Sequence, residues 1–124
     1  MNPADGLRAA MQIQDDIDRF NRDSGKEPVI IKLGLHCGRC ISVTLNNRLD
    51  YYGSAANKAA RLEAQSTGGD IVLSPEFAAD PEVHRLLADV PVQEESAELK
   101  GFAQPIAFLR VAADALAERR RRAR

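Results

Sequence analysis

The chain has 124 residues, 44% of them hydrophobic and 28% charged, with a formal net charge of -1. That supports one domain with a modest core and excludes both a two-core protein and an intrinsically disordered chain. No run approaches the roughly 18 apolar residues of a membrane span, the start shows no basic-then-apolar secretory pattern, and two cysteines cannot staple a secreted mini-scaffold, so a reducing cytoplasm is the expected compartment.

In chain order, Asn2-Pro3 has the form of an N-cap followed by proline at the first helical position. Leu7, Ala10, Met11, Ile13, Ile17 and Phe20 then recur at helical spacing, predicting an amphipathic helix over 3–21, stopped by Asn21, Ser24 and Gly25. Residues 29–35 are short, β-branched and bounded by Pro28 and Gly38, which predicts a buried strand. Ile41, Val43 and Leu45 alternate with Ser42, Thr44 and Asn46, predicting a second strand with one wet face, and Asn46-Asn47 marks a turn.

Ser54 can cap a helix running through Ala55, Ala56, Ala59, Ala60 and Leu62 to Gly68-Gly69. So much alanine suggests a backbone packed closely against a sheet or another subunit. A short strand is expected over 70–73, and Ser74-Pro75 and Asp80-Pro81 each signal a short helix, over 75–79 and 81–89. Residues 90–100 and 105–111 have the pattern of a closing antiparallel pair around Gly101, after which the chain is helical in propensity and ends in arginine. Helices among hairpins, rather than one per strand, predict an α+β fold with a mostly antiparallel sheet.

The last six positions hold five arginines, and without them 12 basic side chains face 18 acidic ones, or -6. A folded body of that sign argues against nucleic-acid binding. The arginine run could meet nucleic acid or an anionic membrane surface, but a disordered, solubilising tail over 114–124 is the favoured expectation.

The richest stretch for chemistry runs from Arg48 to Glu63. Asn57 and Arg61 are four apart, so they project from one helical face. An amide and a guanidinium there could grip a sugar oxygen and a phosphate; on spacing alone, an exposed polar helix face accounts for them equally simply. Elsewhere, Cys37-Gly38-Arg39-Cys40 is a single C-x-x-C pair without a second ligand pair or a following helix, so two small buried residues explain it better than a metal or redox site. His36 reads as structural, Gly25-Lys26 lacks the glycines of a phosphate loop, and Glu94, Glu95 and Glu98 read as a solvated hairpin edge.

The run Lys32-Leu33-Gly34-Leu35-His36-Cys37-Gly38, then Leu49-Asp50-Tyr51-Tyr52-Gly53, then Asn57-Lys58-Ala59-Ala60-Arg61-Leu62-Glu63, then Leu99-Lys100-Gly101-Phe102 resembles the second half of a class III adenylate/guanylate cyclase catalytic domain. The resemblance covers about Leu7 to Val111, and its spacing is specific: Asn57 falls four residues after Gly53. It implies a ferredoxin-like cyclase fold lacking its N-terminal strands, over residues 1–113. Asn57 matches the asparagine that orients the ribose, Arg61 the arginine that stabilises charge on the α-phosphate, and Asp50 the position that selects the base. A carboxylate at Asp50 accepts from the N6 amino group of adenine and so favours ATP over GTP. Lys100 lies where relatives often place a lysine near the polyphosphate.

The resemblance also has departures. Relatives carry two strand-borne aspartates for Mg²⁺ or Mn²⁺ in an N-terminal half; here Asp15, Asp16 and Asp18 fall on a helix and Asp23 just past it, so no metal ligand is expected on this chain. Ala56 stands where valine is usual, and Leu49 where tyrosine is common. The chain is therefore expected to offer the nucleotide-orienting half-site, as a truncated fragment or a short relative, in a homodimer or in a heterodimer with a full-length cyclase that ligates the metal. It is not expected to be active alone. A non-catalytic dimerisation module is the alternative.

Overall fold

The computed structural model describes residues 2–36, 59, 61–98 and 105–122. Helix α1 (Pro3–Ser24) is capped by Asn2, whose side chain accepts from the Asp5 amide at 2.9 Å, and it ends at Gly25 in the left-handed region. It passes the expected stop at Asn21. That side chain instead brackets Val29, donating to its carbonyl and accepting from its amide, both at 2.8 Å.

Four strands form a sheet in the order β1-β2-β4-β3: β1 (Gly34–Leu35), β2 (Ile71–Leu73), β3 (Gln93–Ala97) and β4 (Ile106–Val111). The fold is α+β, as the element order predicts. The sheet is mixed rather than uniformly antiparallel, because β1 pairs with β2 in parallel while β4 runs antiparallel to both β2 and β3. The connection from β1 to β2 includes the helical residues 61–64, and a crossover through a helix returns the chain in its starting direction. Residues 29–35 also depart from a fully buried strand. Val29 and Ile30 are 42% and 67% exposed, and only Gly34 and Leu35 join the ladder. The expected strand over 41–46, its turn, the Ser54 cap, the cysteine pair and the turn at Gly101 lie outside the described residues.

Ser74 and Asp80 cap α2 (Pro75–Ala78) and α3 (Pro81–Leu86) as the sequence predicts, their side chains accepting from Phe77 and from Glu82 and Val83. The arginine-rich end departs from expectation: in place of a disordered tail over 114–124, Ala113–Arg122 form helix α4. Ala115 and Leu116 are buried, and Arg120 donates to Asp15 of α1 at 2.5 Å. Acidic residues on α1 thus accept the arginines that composition alone treats as a repelling run. Among the described residues no helix is long and apolar enough to cross a membrane.

The core lies on both faces of β2. Ile71 and Leu73 join Leu7, Ala10 and Met11 of α1, Phe77, Val83, Val111 and Leu116. Val72 points the other way, to Leu62 and Phe108. Period-two alternation along a strand buried on both sides produces this division. Gln14 links α1 to the sheet, its amide donating to the carbonyls of Ile31 at 3.1 Å and Asp70 at 2.8 Å. Gln14→Leu keeps the volume but strands both carbonyls, and urea denaturation is expected to show a loss of about 1–3 kcal/mol; an unchanged midpoint would refute the role given to those bonds.

Candidate functional site

The helical residues 61–64 lie against β1 with almost no gap. A Cβ built on Gly34 would stand 2.9 Å from both the Ala59 carbonyl oxygen and the Glu63 Cα, so the backbone of this helix occupies the space of a side chain. That is the close approach the alanine-rich sequence suggests, and it is against the sheet. Leu62 is fully buried with Val72 and Phe108 beneath it. Arg61, its neighbour, is half-buried. Asp50, Asn57 and Lys100 lie outside the described residues, so of the expected constellation the structure places Arg61 alone.

Beyond the helix the chain turns through 65–70. Gly68 and Gly69 adopt φ of 96° and 73°, a region that glycine enters without steric cost. Gln65 and Ser66 close the last turn onto the carbonyls of Leu62 and Glu63, at 3.0 and 2.9 Å. The turn folds around Asp70, whose carboxylate is wholly removed from solvent. It accepts from the Ser66 hydroxyl, from the Thr67 amide and hydroxyl, each at 3.1 Å, and from Arg110.

Arg110 sits on β4 with its guanidinium divided among three segments. It donates to Asp70, to both oxygens of Glu95 on β3 at 2.7 and 3.3 Å, and to the Gln65 carbonyl at 2.9 Å. It also stacks 5.6 Å from the centre of the Phe108 ring. Glu95 is therefore not merely part of a solvated edge. The sequence reading missed this network; the available signal was one arginine within the otherwise apolar strand Ile106–Val111.

Electrostatics follow from the contacts. Burial by itself pushes the Asp70 carboxyl up, but the bonds from Ser66, the Thr67 amide, Arg110 and the Thr67 hydroxyl together hold it below the usual carboxylate range. The bond from Arg110 to Glu95, partly opposed by burial and reinforced by Asp70, raises the guanidinium above its ordinary value. At the end of β1, His36 Nδ1 lies 2.9 Å from the Ser74 hydroxyl, which itself caps α2; these contacts tie β1 to α2.

The sequence comparisons settle the family. The model for the adenylate and guanylate cyclase catalytic domain matches residues 4–105. The chain belongs to this family. It is 35% identical over 82 residues to an adenylate cyclase of Neurospora crassa, covering 61% of this chain and 4% of that protein. An adenylate cyclase of Podospora anserina is 39% identical over 52 residues, 40% of this chain and 2% of the relative. The cyclase-family chain thus spans only a few per cent of the length of these relatives.

Cyclase domains of this family generally use Mg²⁺ or Mn²⁺, and the carboxylates described here do not fit such a pair. Asp15 and Asp18 are taken up by Arg120 and Arg22, and Asp16 by Gln12 and Arg19. Among the described residues no three His, Cys, Asp or Glu side chains converge. A cavity of about 410 Å³ lies between α1, residues 29–31, the 67–69 turn and α4, lined by Gln14, Ile17, Asp18 and Arg120, and Arg61 is not in its wall.

The sign of the Asp70 shift sets its pH dependence. A carboxyl whose folded pKa is depressed adds stability that is present above its unfolded value near 4 and is lost as pH falls through the folded value. Acid titration of the folded chain is expected to show falling stability below about pH 4, and Asp70→Asn to flatten that slope. The same variant should lose about 3 kcal/mol at pH 7, because it weakens the pairing of a buried guanidinium. An unchanged acid limb in Asp70→Asn would overturn the assignment.

Proposed function

We propose that this domain supplies the nucleotide-orienting half of an adenylate cyclase centre, acting on ATP to give cyclic AMP and pyrophosphate. The observation that carries the reading is Arg61, held on a helix seated directly on Gly34, in a chain of the cyclase family. In the reaction the ribose 3′-oxygen bonds to the α-phosphorus while the bond to the departing pyrophosphate breaks. Negative charge builds on the non-bridging oxygens, and a guanidinium fixed before the reaction stabilises it without reorganising. Asn57 orients the ribose, and Asp50 accepts from the adenine N6 amino group. Metal-binding carboxylates come from outside the described residues, in a homodimer or a heterodimer with a full-length cyclase.

The test mixes this chain with a full-length cyclase whose own Asn/Arg pair has been disabled. Cyclic AMP production is expected to return, and Arg61→Ala in this chain to lower it by about 10²–10³-fold. A non-hydrolysable ATP analogue should bind weakly and lose binding in Asp50→Ala. Dimerisation with neither cyclic AMP nor analogue binding would instead identify a non-catalytic regulatory module, the reading favoured if the carboxylates of α1 represent all the acids near the site.

A further inference from the structure

We propose that Arg110 is a positioning residue for Arg61, setting the seat of its helix on the sheet through the Gln65 carbonyl. This rests on the reading of Arg61 as the cation that meets the α-phosphate. Arg110 itself is remote from any group placed at the nucleotide, and its contacts explain how it acts. The helix that carries Arg61 ends within four residues, at a carbonyl that receives one of the guanidinium donors at 2.9 Å. The other donors are fixed by Asp70, at the head of β2, and by the two oxygens of Glu95 on β3.

A planar, rigid fork with three anchored directions sets the location of the carbonyl it touches. Only β4 neighbours both β2 and β3, so a residue on that strand can reach all three segments. The side chain is 11% exposed, and Asp70 is wholly buried, so water cannot readily substitute for either. Leu62 and Gly34 fix the height of the helix above the sheet; Arg110 fixes its end. A lysine has the charge but not the fork, and cannot hold Asp70, Glu95 and Gln65 at once.

Arg110→Lys separates positioning from simple support. By native-state hydrogen exchange on this chain, the Gln65 and Ser66 amides are expected to lose protection about tenfold while the interior amides of α1 keep theirs. In the mixed cyclase, kcat should fall at least about tenfold with the KM for ATP within about twofold, since a displaced cation costs more in the transition state than in binding. Uniform loss of protection, or a lower melting temperature with kcat unchanged, overturns the proposal. If Arg110→Lys fails to fold, Glu95→Gln takes its place, because it leaves the bonds to Asp70 and Gln65; it should deprotect the same two amides, and wild-type exchange there overturns the proposal equally. Arg61→Ala distinguishes the two failures. A large loss with Arg61→Ala and none with Arg110→Lys rejects only the positioning role, whereas no loss with Arg61→Ala rejects the underlying reading.

Discussion

Gly34 has no side chain, and the backbone of the arginine-bearing helix lies where one would be. The remaining geometry follows from that contact. With the helix resting on β1, Leu62 reaches down to Val72 and Phe108 and becomes fully buried, which leaves its neighbour Arg61 at the margin of the contact. From the opposite face Gln14 reaches the carbonyls of Ile31 and Asp70, on the approaches to the same two parallel strands. The β1–β2 pair is thus clamped between α1 and the crossover helix. A strand pair buried on both faces tolerates little sliding, because a shift of one residue would turn every side chain to the wrong side.

Charge is organised in two regimes. On the surface, arginines of α4 meet Asp15 and Asp18 of α1, and each such pair contributes about 0–1 kcal/mol. Their combined effect is to dock a segment whose apolar contribution is small, chiefly Ala115 and Leu116. Inside, Asp70 and Arg110 are too poorly solvated to be neutral in cost, and their value lies in mutual saturation. Every lost water contact is replaced by Ser66, Thr67, Gln65 or Glu95. A network satisfied in this way specifies one arrangement of three chain segments more sharply than apolar packing of equal volume.

What could be foreseen from the sequence was local. Asn2-Pro3, Ser74-Pro75 and Asp80-Pro81 each carry a cap and its proline within two residues, and each begins a helix. The closing hairpin is signalled by two strand-like runs near each other, and the register Gln93↔Arg110 to Ala97↔Ile106 follows. What escaped depended on distant partners. Gln14 bonds across 56 residues to Asp70, and Arg110 reaches across 40 to the same residue; a polar residue in a helix or strand pattern does not announce such a partner. The parallel pairing of β1 and β2 and the docking of α4 were hidden for the same reason. At the candidate site the helical spacing offered Asn57 and Arg61 as a pair, but only the family resemblance gave them roles. The seat of Arg61, a glycine facing an alanine-rich helix, was the one part of that site foreshadowed by residue size.

The way Arg61 is supported bears on what a cation there can do. An arginine on a mobile loop must be ordered when charge appears on a reacting phosphate, and that ordering cost is subtracted from the stabilisation it offers. Here the ordering is completed during folding, through a glycine contact below the helix, a buried leucine beside the arginine and a guanidinium at the helix end. None of these supports touches the α1 carboxylates, which are engaged with arginines and with Gln12. The frame that holds the cation is therefore complete within this chain, independently of where metal-binding acids are supplied. Such a division suits a centre assembled between subunits: each side can be rigid before they meet, and association need only bring the two rigid halves into register.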